Sequence, residues 1–319
     1  MEHYVTLFDS LFLPQGLALH ISMERHLRDY TLWVLCVDDA THDALTRLNL
    51  PNVRLLQLSL IETEELKRVR PSRTKGEYCW TLTPFAPRFV FDANPDVDRV
   101  TYLDADMWFR KDPGEIFDEF SASGKHVLIT DHAYAPEFDQ SATAGQYCVQ
   151  FMTFTRDGGE GVRMWWQERC IEWCHARFEE GKFGDQKYLD DWPTRFGAMV
   201  HVLGKTELLL APWNATRFPY SSAALWHFHG LRLVIRSDVL HGVDCGPYPL
   251  PLPTRNHIYL NYLIDLECGI HNLRSLGFGL QSQTTLSVSG WLLRFVRGMW
   301  HTLWRINQHV YIRSTTNAR

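Results

Sequence analysis

The chain has 319 residues, enough for one large core or for one α/β domain with a smaller appendage. Its 45% hydrophobic and 22% charged residues are ordinary for a globular protein. The net charge of −5 argues against nucleic acid as the partner, because binding of nucleic acid requires a basic face. Anionic ligands are not excluded, since a metal ion or a basic cluster can reverse the electrostatic field at one site.

Short apolar runs alternate with helical patterns along most of the chain. Strands are predicted over residues 3–8, 32–37, 53–58, 100–103, 127–130 and 150–154. Helices are predicted over residues 17–27, 41–48, 80–91 and about 161–179, the first of them after a turn at residues 14–16. The pattern predicts an α/β fold with a mainly parallel, Rossmann-like sheet flanked by helices, in which ligands bind at the carboxyl ends of the strands.

Proline-rich residues 247–253 mark a predicted boundary between a catalytic domain, 1–246, and a C-terminal extension, 247–319. Within the extension, residues 291–313 carry a broad apolar stripe at helical spacing, rich in tryptophan and arginine, and no acid lies between Leu286 and Arg319. Such a helix is typical of a protein that lies on an anionic membrane surface, and packing on protein is the alternative.

The seven cysteines are too few, and odd in number, for a disulfide framework. Cys170 and Cys174 lie four residues apart on a predicted helix, but two thiolates alone make an incomplete zinc site, so reduced thiols are favoured. The first ten residues lack the pattern of a secretory signal, and no stretch of eighteen uncharged apolar residues occurs. These features predict a cytoplasmic location, peripheral on the inner face of the membrane if the C-terminal helix binds lipid.

The most informative segment is the apolar strand that enters Asp104-Ala105-Asp106. Two carboxylates at a strand end, with one residue between them, can reach the same cation, and hard divalent cations prefer oxygen ligands. Such a cation neutralises the charge of a diphosphate as its bond to another group breaks. The sequence therefore predicts a metal and diphosphate site here.

Two further segments offer partners for this site. His227 and His229 alternate along an extended segment and point to one face, so either of them can supply an imidazole ligand. Asp185 and Gln186 begin another segment, where one interpretation is a helix start with Asp185 as its cap and the other is a contact with a bound sugar.

Together, these segments resemble the GT-A glycosyltransferases, most closely the family 8 type and its bacterial relatives, over about residues 3–235. In that family an apolar strand enters Tyr-Leu-Asp-x-Asp, matched here by residues 102–106. A later His-Phe-x-Gly segment carries a third metal ligand, which assigns that role to His227. An Asp-Gln pair between them contacts the donor sugar, matched by Asp185 and Gln186.

The resemblance also implies contacts with a nucleotide-sugar donor. The first strand and its turn, Thr6 to Asp9, match the place that holds the nucleobase and ribose, and Arg73 and Lys75 lie where a basic residue binds the donor, with a solvated loop as the alternative. Asp131 follows a strand, as a sugar-contacting acid does in this family, with a capping role as the alternative. The predicted donor-binding residues are Thr6, Leu7, Phe8, Asp9, Arg73, Lys75, Tyr102, Asp104, Ala105, Asp106, Gly230 and Arg232.

The chain departs from the family at two places. Gln150 stands where the family has an Asn-x-Gly run, and the Lys-Pro-Trp that follows the histidine segment is absent, which leaves Arg232 as the nearest basic residue. These departures suggest a related family rather than family 8 itself.

The resemblance implies a hexosyltransferase that uses Mn2+ or Mg2+ and moves a sugar from a nucleotide-diphosphate donor, by family expectation a UDP-sugar, to a glycan or lipid-linked acceptor with retention of configuration. Asp131, Asp185 and Gln186 are its predicted catalytic residues, and Asp104, Asp106 and His227 its predicted metal ligands. One rival is a haloacid-dehalogenase-type phosphatase, whose nucleophile motif is also a strand ending in Asp-x-Asp. Another is a non-catalytic nucleotide-sugar-binding protein on the same scaffold.

Overall fold

A computed structural model describes residues 1–284 and the backbone of the strand His309–Tyr311. Thirteen strands are described, and they form one large sheet and two small ones. In chain order they are β1 (Glu2–Phe8), β2 (Tyr30–Cys36), β3 (Val53–Gln57), β4 (Arg99–Leu103), β5 (Met107–Phe109), β6 (Val127–Asp131), β7 (Tyr147–Thr155), β8 (Val200–Val202), β9 (Leu209–Leu210), β10 (Leu225–His227), β11 (Arg232–Arg236), β12 (Val239–Asp244) and β13 (His309–Tyr311).

The large sheet has seven strands in the order β3-β2-β1-β4-β7-β6-β8. Neighbouring strands run parallel except for β7, which is antiparallel to both β4 and β6. The second sheet has the order β5-β10-β9, and the third is the antiparallel set β11-β12-β13. The mainly parallel α/β fold predicted from the sequence is therefore confirmed.

The helices cover both faces of the large sheet. In chain order they are α1 (Leu13–His26), α2 (Asp39–Leu48), α3 (Leu58–Ile61), α4 (Glu64–Val69), α5 (Lys75–Leu82), α6 (Phe85–Ala93), α7 (Gly114–Ser123), α8 (Ser141–Ala144), α9 (Arg156–Glu172), α10 (Trp192–Arg195), α11 (Leu252–Thr254) and α12 (Leu260–Ser275). A π-helical turn, Arg255–Tyr259, joins the last two, and 3-10 turns include Pro136–Phe138, Lys187–Asp191 and Pro212–Asn214.

Alternating side chains of the central strands fill two cores. Val5 and Leu7 of β1 belong to the core under α5, α6 and α9, whereas Tyr4 and Phe8 belong to the core under α1, α2 and α7. This alternation is the period of two expected of a strand, and each large side chain buried in this way contributes about 1.5–3 kcal/mol. Burial on both faces fixes the register of the sheet and thus the position of its strand ends.

Three predicted helices differ from the observed ones. Residues 14–16 lie within the first turn of α1 rather than in a turn before it, because proline fits the first positions of a helix. The single helix predicted over 80–91 is two helices, α5 and α6, separated at Thr83 and Pro84. The helix predicted over 161–179 is α9, which begins five residues earlier and ends at Glu172, seven residues before the predicted end. Glycine is required at position 158 because a Cβ there would lie 2.1 Å from the ring of His126.

The C-terminal part of the described chain packs on the sheet domain. α12 contacts α1, where a Cβ on Gly269 would lie 2.9 Å from the Cβ of Leu17, and Arg25 of α1 forms an ion pair with Asp265 of α12 at 2.6 Å. The division at residue 246 remains a prediction. Most of the predicted amphipathic helix over residues 291–313 lies outside the described residues, although its positions 309–311 form the strand β13 beside β12. None of the described helices has the length and apolar composition needed to cross a bilayer.

Candidate active site

The Asp-x-Asp segment lies at the carboxyl edge of the large sheet. β4 runs beside β1 at the centre of that sheet, with Tyr102 paired to Val5, and it ends immediately before Asp104. The chain then turns tightly, since the Met107 amide donates to the Asp104 carbonyl at 3.1 Å, and β5 leads away. The Tyr102 hydroxyl donates to Oδ1 of Asp104 at 2.9 Å and so orients that carboxylate.

The second sheet brings a histidine to the two carboxylates. β10 pairs with β5 so that His227 lies opposite Met107, and the Phe228 amide donates to the Asp106 carbonyl at 2.9 Å. Phe228 is fully buried and stacks on Tyr262 of α12 with ring centroids 3.5 Å apart. Because successive side chains of an extended segment alternate, burial of Phe228 directs His227 to the opposite side, toward the carboxylates.

Asp104, Asp106 and His227 each offer a ligand atom within 4.8 Å of the other two. Nε2 of His227 lies 3.1 Å from Oδ1 of Asp106 and 3.6 Å from Oδ2 of Asp104. Burial disfavours the charged imidazole, but the Asp106 and Asp104 carboxylates outweigh it and raise the pKa of His227 well above its usual value. Two hard oxygen ligands and one imidazole suit a divalent cation such as Mn2+ or Mg2+, and within residues 1–284 this is the one group of three or more acidic, histidine or cysteine residues that can hold a metal.

Asp185 and Gln186 lie in the loop between α9 and the 3-10 turn that begins at Lys187, and neither side chain caps that turn. Asp185 is only 5% exposed, and burial together with the charge of Asp104 raises its pKa to about 8. Trp166 donates its indole N–H to the Asp185 carbonyl at 2.8 Å, and Nε2 of Gln186 donates to the Ala144 carbonyl at 2.6 Å. Both residues are thereby held in position, and Asp185 is close enough to Asp104 for the charge of that carboxylate to affect it.

A cleft of about 550 Å3 contains the three metal-ligand candidates and most of the other predicted site residues. At its β1 end, Lys75 lies 3.7 Å from the Asp9 carboxylate, and the Arg232 guanidinium lies 6.0 Å from the ring of Phe12. The predicted residues that line the cleft are Leu7, Phe8, Asp9, Lys75, Tyr102, Asp104, Ala105, Asp106, Asp185, Gln186, His227, Gly230 and Arg232.

Three predicted site residues do not line the cleft. Thr6 is fully buried within the sheet. Arg73 bonds to His175 at 2.6 Å and to the Ile171 carbonyl at 3.3 Å. The Asp131 carboxylate accepts hydrogen bonds from the Ala133 amide at 2.6 Å and from the Gln146 side chain, which is the capping alternative that the sequence left open. The side-chain directions of Arg73 and Asp131 depend on neighbouring loops, which the strand pattern does not encode.

Gln150 was noted from the sequence only as a departure from the family pattern, and other residues of the cleft were not predicted. Gln150 accepts a hydrogen bond at its Oε1 from Nδ1 of His227 at 2.7 Å; a lone amide within the buried strand β7 was the available signal. Cys148 also lines the cleft, where burial disfavours its thiolate but His132 and His227 lower its pKa to about 7. Trp213, in the 3-10 turn Pro212–Asn214, is 3% exposed and donates its indole N–H to the His132 carbonyl.

No protein-family model matches the chain. It is 30% identical to the protein YfnF of Bacillus subtilis over 74% of this chain and 84% of that one, and 28% identical to YfnD of the same organism over 86% and 91%; both are described as uncharacterized. Among solved structures it superposes on the galactosyltransferase LgtC in complex with donor and acceptor sugar analogs, with a TM-score of 0.52, 13% identity, and coverage of 83% of this chain and 95% of that one. The chain therefore belongs to the family of YfnF, and its fold is that of the GT-A glycosyltransferases.

Proposed function

We propose that this protein is a metal-dependent glycosyltransferase that moves a hexose from a nucleotide-diphosphate donor, in the first instance a UDP-sugar, to a glycan or lipid-linked acceptor. The observation that carries the proposal is the convergence of Asp104, Asp106 and His227 on one point of a cleft that also contains Asp185 and Gln186. Structures with the same fold, LgtC among them, are glycosyltransferases, which supports this choice of activity.

Each part of the cleft has a role in this proposal. Asp104, Asp106 and His227 would hold Mn2+ or Mg2+, which when bound supplies positive charge to a departing diphosphate. Lys75 and Arg232 add fixed positive charge on the donor side of these ligands, where Leu7 to Asp9 would hold the nucleoside.

Asp185 and Gln186 would contact the donor sugar. Asp185 is buried and has a raised pKa, so at neutral pH its carboxyl group can donate a hydrogen bond to a sugar hydroxyl as well as accept one. The resemblance to family 8 implies retention of the anomeric configuration. In a retaining reaction, Gln186 or an oxygen of the donor would lie on the reacting face of the sugar, and no covalent intermediate with a carboxylate would form. Thr6, Arg73 and Asp131 are given no contact with substrate.

The phosphatase alternative requires its later acidic residue at the end of a buried strand. Asp185 lies instead in the loop that follows α9. The fold comparison also favours a glycosyltransferase over that alternative. The non-catalytic binding protein on the same scaffold is the remaining competitor, and only turnover distinguishes it from an enzyme.

The test is a donor-hydrolysis screen across nucleotide sugars, with and without Mn2+, combined with titration of UDP and Mn2+ by calorimetry. We expect hydrolysis of at least one donor that requires the metal and that falls on the order of 100-fold or more in Asp106→Ala. Asp118→Ala, which removes an exposed carboxylate on α7, is the matched control and should hydrolyse the donor as the wild type does. Binding of UDP and Mn2+ without turnover of any donor would identify a binding protein instead.

We also propose that the protein works in the cytoplasm, with its basic C-terminal stripe over residues 291–313 on an anionic membrane surface. The composition of that stripe supports the proposal, since a lipid-linked acceptor would be presented there. A chain truncated after Leu286 should sediment less with vesicles of anionic lipid than the full chain does. Equal sedimentation of the two chains would contradict it.

A further inference from the structure

The two ends of the cleft differ in charge. Among the described residues that line it, every Asp, Lys and Arg belongs either to the end near β1 or to the group formed by the metal ligands and Asp185. The charged residues of the β1 end are Asp9, Lys75 and Arg232. The two cations among them suit the charged phosphates of a nucleotide. The opposite end is lined instead by His132, Tyr134, Gln140, Ala144, Trp213 and Tyr248, and we call it the aromatic end.

The aromatic end is continuous with the metal ligands. The ring of His227 lies 5.5 Å from that of Trp213, which in turn lies 6.1 Å from the ring of Tyr134. A molecule that rests against Tyr134 is therefore a short distance from the point at which a donor sugar would be transferred.

Three separate segments form the wall of the aromatic end, and hydrogen bonds between them hold it in place. Tyr134 belongs to the loop between β6 and β7, and the Ala135 amide of that loop donates to the Trp213 carbonyl at 3.0 Å. The side chain of Gln140, in the same loop, donates to the Tyr248 hydroxyl at 2.7 Å. Trp213 is itself buried, so it supports the wall, whereas the partly exposed Tyr134 offers surface to a ligand.

A neutral sugar fits this surface by its chemistry. One face of a pyranose is lined by C–H groups, which pack on an aromatic ring, while its hydroxyl groups at the edge bond to amides and phenols such as Gln140 and Tyr248. A carboxylate or phosphate on the same ring would lose its hydration without finding a lysine or arginine among the described residues that line this end, and the one imidazole there, that of His132, is buried against the Tyr134 ring.

We propose that the aromatic end is the acceptor subsite, and that the acceptor residue bound there is an uncharged pyranose whose apolar face packs on Tyr134. This inference rests on the proposed glycosyltransferase function and adds to it the class of acceptor and the residues that select it. Tyr134 contacts the acceptor, and Trp213 acts as a positioning residue behind it.

The test measures binding of methyl glycosides to the full chain in the presence of saturating UDP and Mg2+, by saturation-transfer NMR and calorimetry. The probes are the methyl glucosides, galactosides and mannosides, each set against a uronate where one exists, so that the glucoside and the glucuronide differ in charge but not in ring stereochemistry. We expect at least one neutral glycoside to bind, and its uronate to bind about tenfold more weakly or not at all.

Two variants of Tyr134 distinguish packing of the sugar on its ring from other contributions to glycoside binding. Tyr134→Ala should weaken the best glycoside about tenfold, whereas Tyr134→Phe keeps the ring and should stay within about threefold of the wild type. Tyr220→Ala removes a tyrosine that stacks on His257 outside the cleft and should leave glycoside binding unchanged. Melting temperatures of the variants verify that they are folded.

Several outcomes would overturn the inference. They are equal or tighter binding of the uronate, full binding by folded Tyr134→Ala, and a wild type that binds UDP with Mn2+ yet binds none of the neutral glycosides. In these cases, provided that UDP also binds with the Mg2+ used in the glycoside measurements, the proposed function stands. A wild type that fails to bind or hydrolyse any nucleotide donor would instead overturn the proposed function, and this inference with it.

Discussion

Nδ1 of His227 lies 2.7 Å from the amide oxygen of Gln150. An amide oxygen only accepts, so Nδ1 carries the proton and the other nitrogen, Nε2, is the one that faces Asp104 and Asp106. The backbone carbonyl of Gln150 also accepts from the Asp104 amide at 3.2 Å. One residue of β7 thus fixes both the backbone of Asp104 and the imidazole of His227. A hydrogen bond to the nitrogen that does not face the metal strengthens histidine as a metal ligand.

Replacement of Gln150 by leucine should therefore weaken metal binding without removing a ligand. Gln150→Leu keeps the backbone bond to Asp104 but frees the ring of His227, and we expect Mn2+ affinity to fall about 10–100-fold. Calorimetry with Mn2+ measures the effect. Gln57→Leu, at the end of the edge strand β3, makes the same chemical change outside the cleft and should bind Mn2+ normally. An unchanged affinity in Gln150→Leu would show that the ring is held by other contacts.

Metal binding should release protons. His227 has a raised pKa because two carboxylates face it, and Asp185 has a pKa of about 8 because it is buried near Asp104. A cation requires the neutral imidazole and also cancels the negative charge that holds the proton on Asp185, so both groups lose protons when it binds. The apparent affinity for Mn2+ should consequently rise as pH increases from 6 to 8.

The number of released protons can be measured by calorimetry in buffers of different ionisation enthalpy. Asp185→Asn removes one of the two titrating groups and should reduce the number at pH 7, whereas Asp118→Asn on the exposed face of α7 should not. An affinity that is constant between pH 6 and 8 would contradict the assignment of His227 as a ligand.

The sequence predicted the parts of the fold that depend on local burial. All six strands predicted from apolar runs belong to the large sheet. Five of them are buried on both faces and so are continuous apolar segments, whereas the edge strand β3 is only partly buried. β5, β9 and β10 were not predicted, since two or three residues are too few to show a period. Yet these short strands place His227 beside Asp106. Assembly of the site therefore depends on pairing between residues more than one hundred positions apart in the chain.

The same distinction holds for the candidate site. The position of Asp104 and Asp106 at a strand end follows from the apolar run before them, and the structure places them there. The directions of Arg73 and Asp131 depend on where other loops lie, and neither residue lines the cleft. Tyr134 gave no signal in the sequence, because an aromatic residue in a loop is common and its neighbours come from other segments.

Glu77 should make stability depend on acid pH. Its carboxylate accepts hydrogen bonds from the Thr74 and Ala176 amides, each at 2.8 Å, and thereby joins α5 to the loop that leads to Asp185. Burial opposes the charged form, but these bonds outweigh it and lower the pKa of Glu77 to about 2 from 4.5. Because the folded pKa is the lower one, this stabilisation is complete above about pH 4.5 and is lost as pH falls toward 2.

Glu77→Gln should thus lower the free energy of unfolding at pH 7 by about 1–3 kcal/mol, and the difference from the wild type should shrink between pH 4.5 and pH 3. Urea unfolding at these pH values measures it. Glu65→Gln, an exposed residue of α4, is the control and should change stability little at any pH. A difference that persists at pH 3 would assign the effect to packing rather than to the charge.

Gly184 precedes Asp185 and has two reasons to be glycine. Its φ of +53° lies in the left-handed region, and a Cβ there would lie 3.3 Å from Cε3 of Trp80, a residue that also lines the cleft. Gly184→Ala should therefore cost about 1–2 kcal/mol of stability and displace Asp185 or Trp80, so that donor hydrolysis falls several-fold.

Gly181 separates these two causes. It has a φ of +78° in the same loop, but nothing lies within 4 Å of the position where its Cβ would be. Gly181→Ala therefore carries the backbone cost alone and should keep donor hydrolysis near the wild-type rate. Since both variants strain the backbone alike, any further loss of activity in Gly184→Ala measures how closely the loop must approach Trp80 to position Asp185. Equal activity in the two variants would show that Trp80 yields to the methyl group and that Asp185 is held by its other contacts, such as the bond from Trp166.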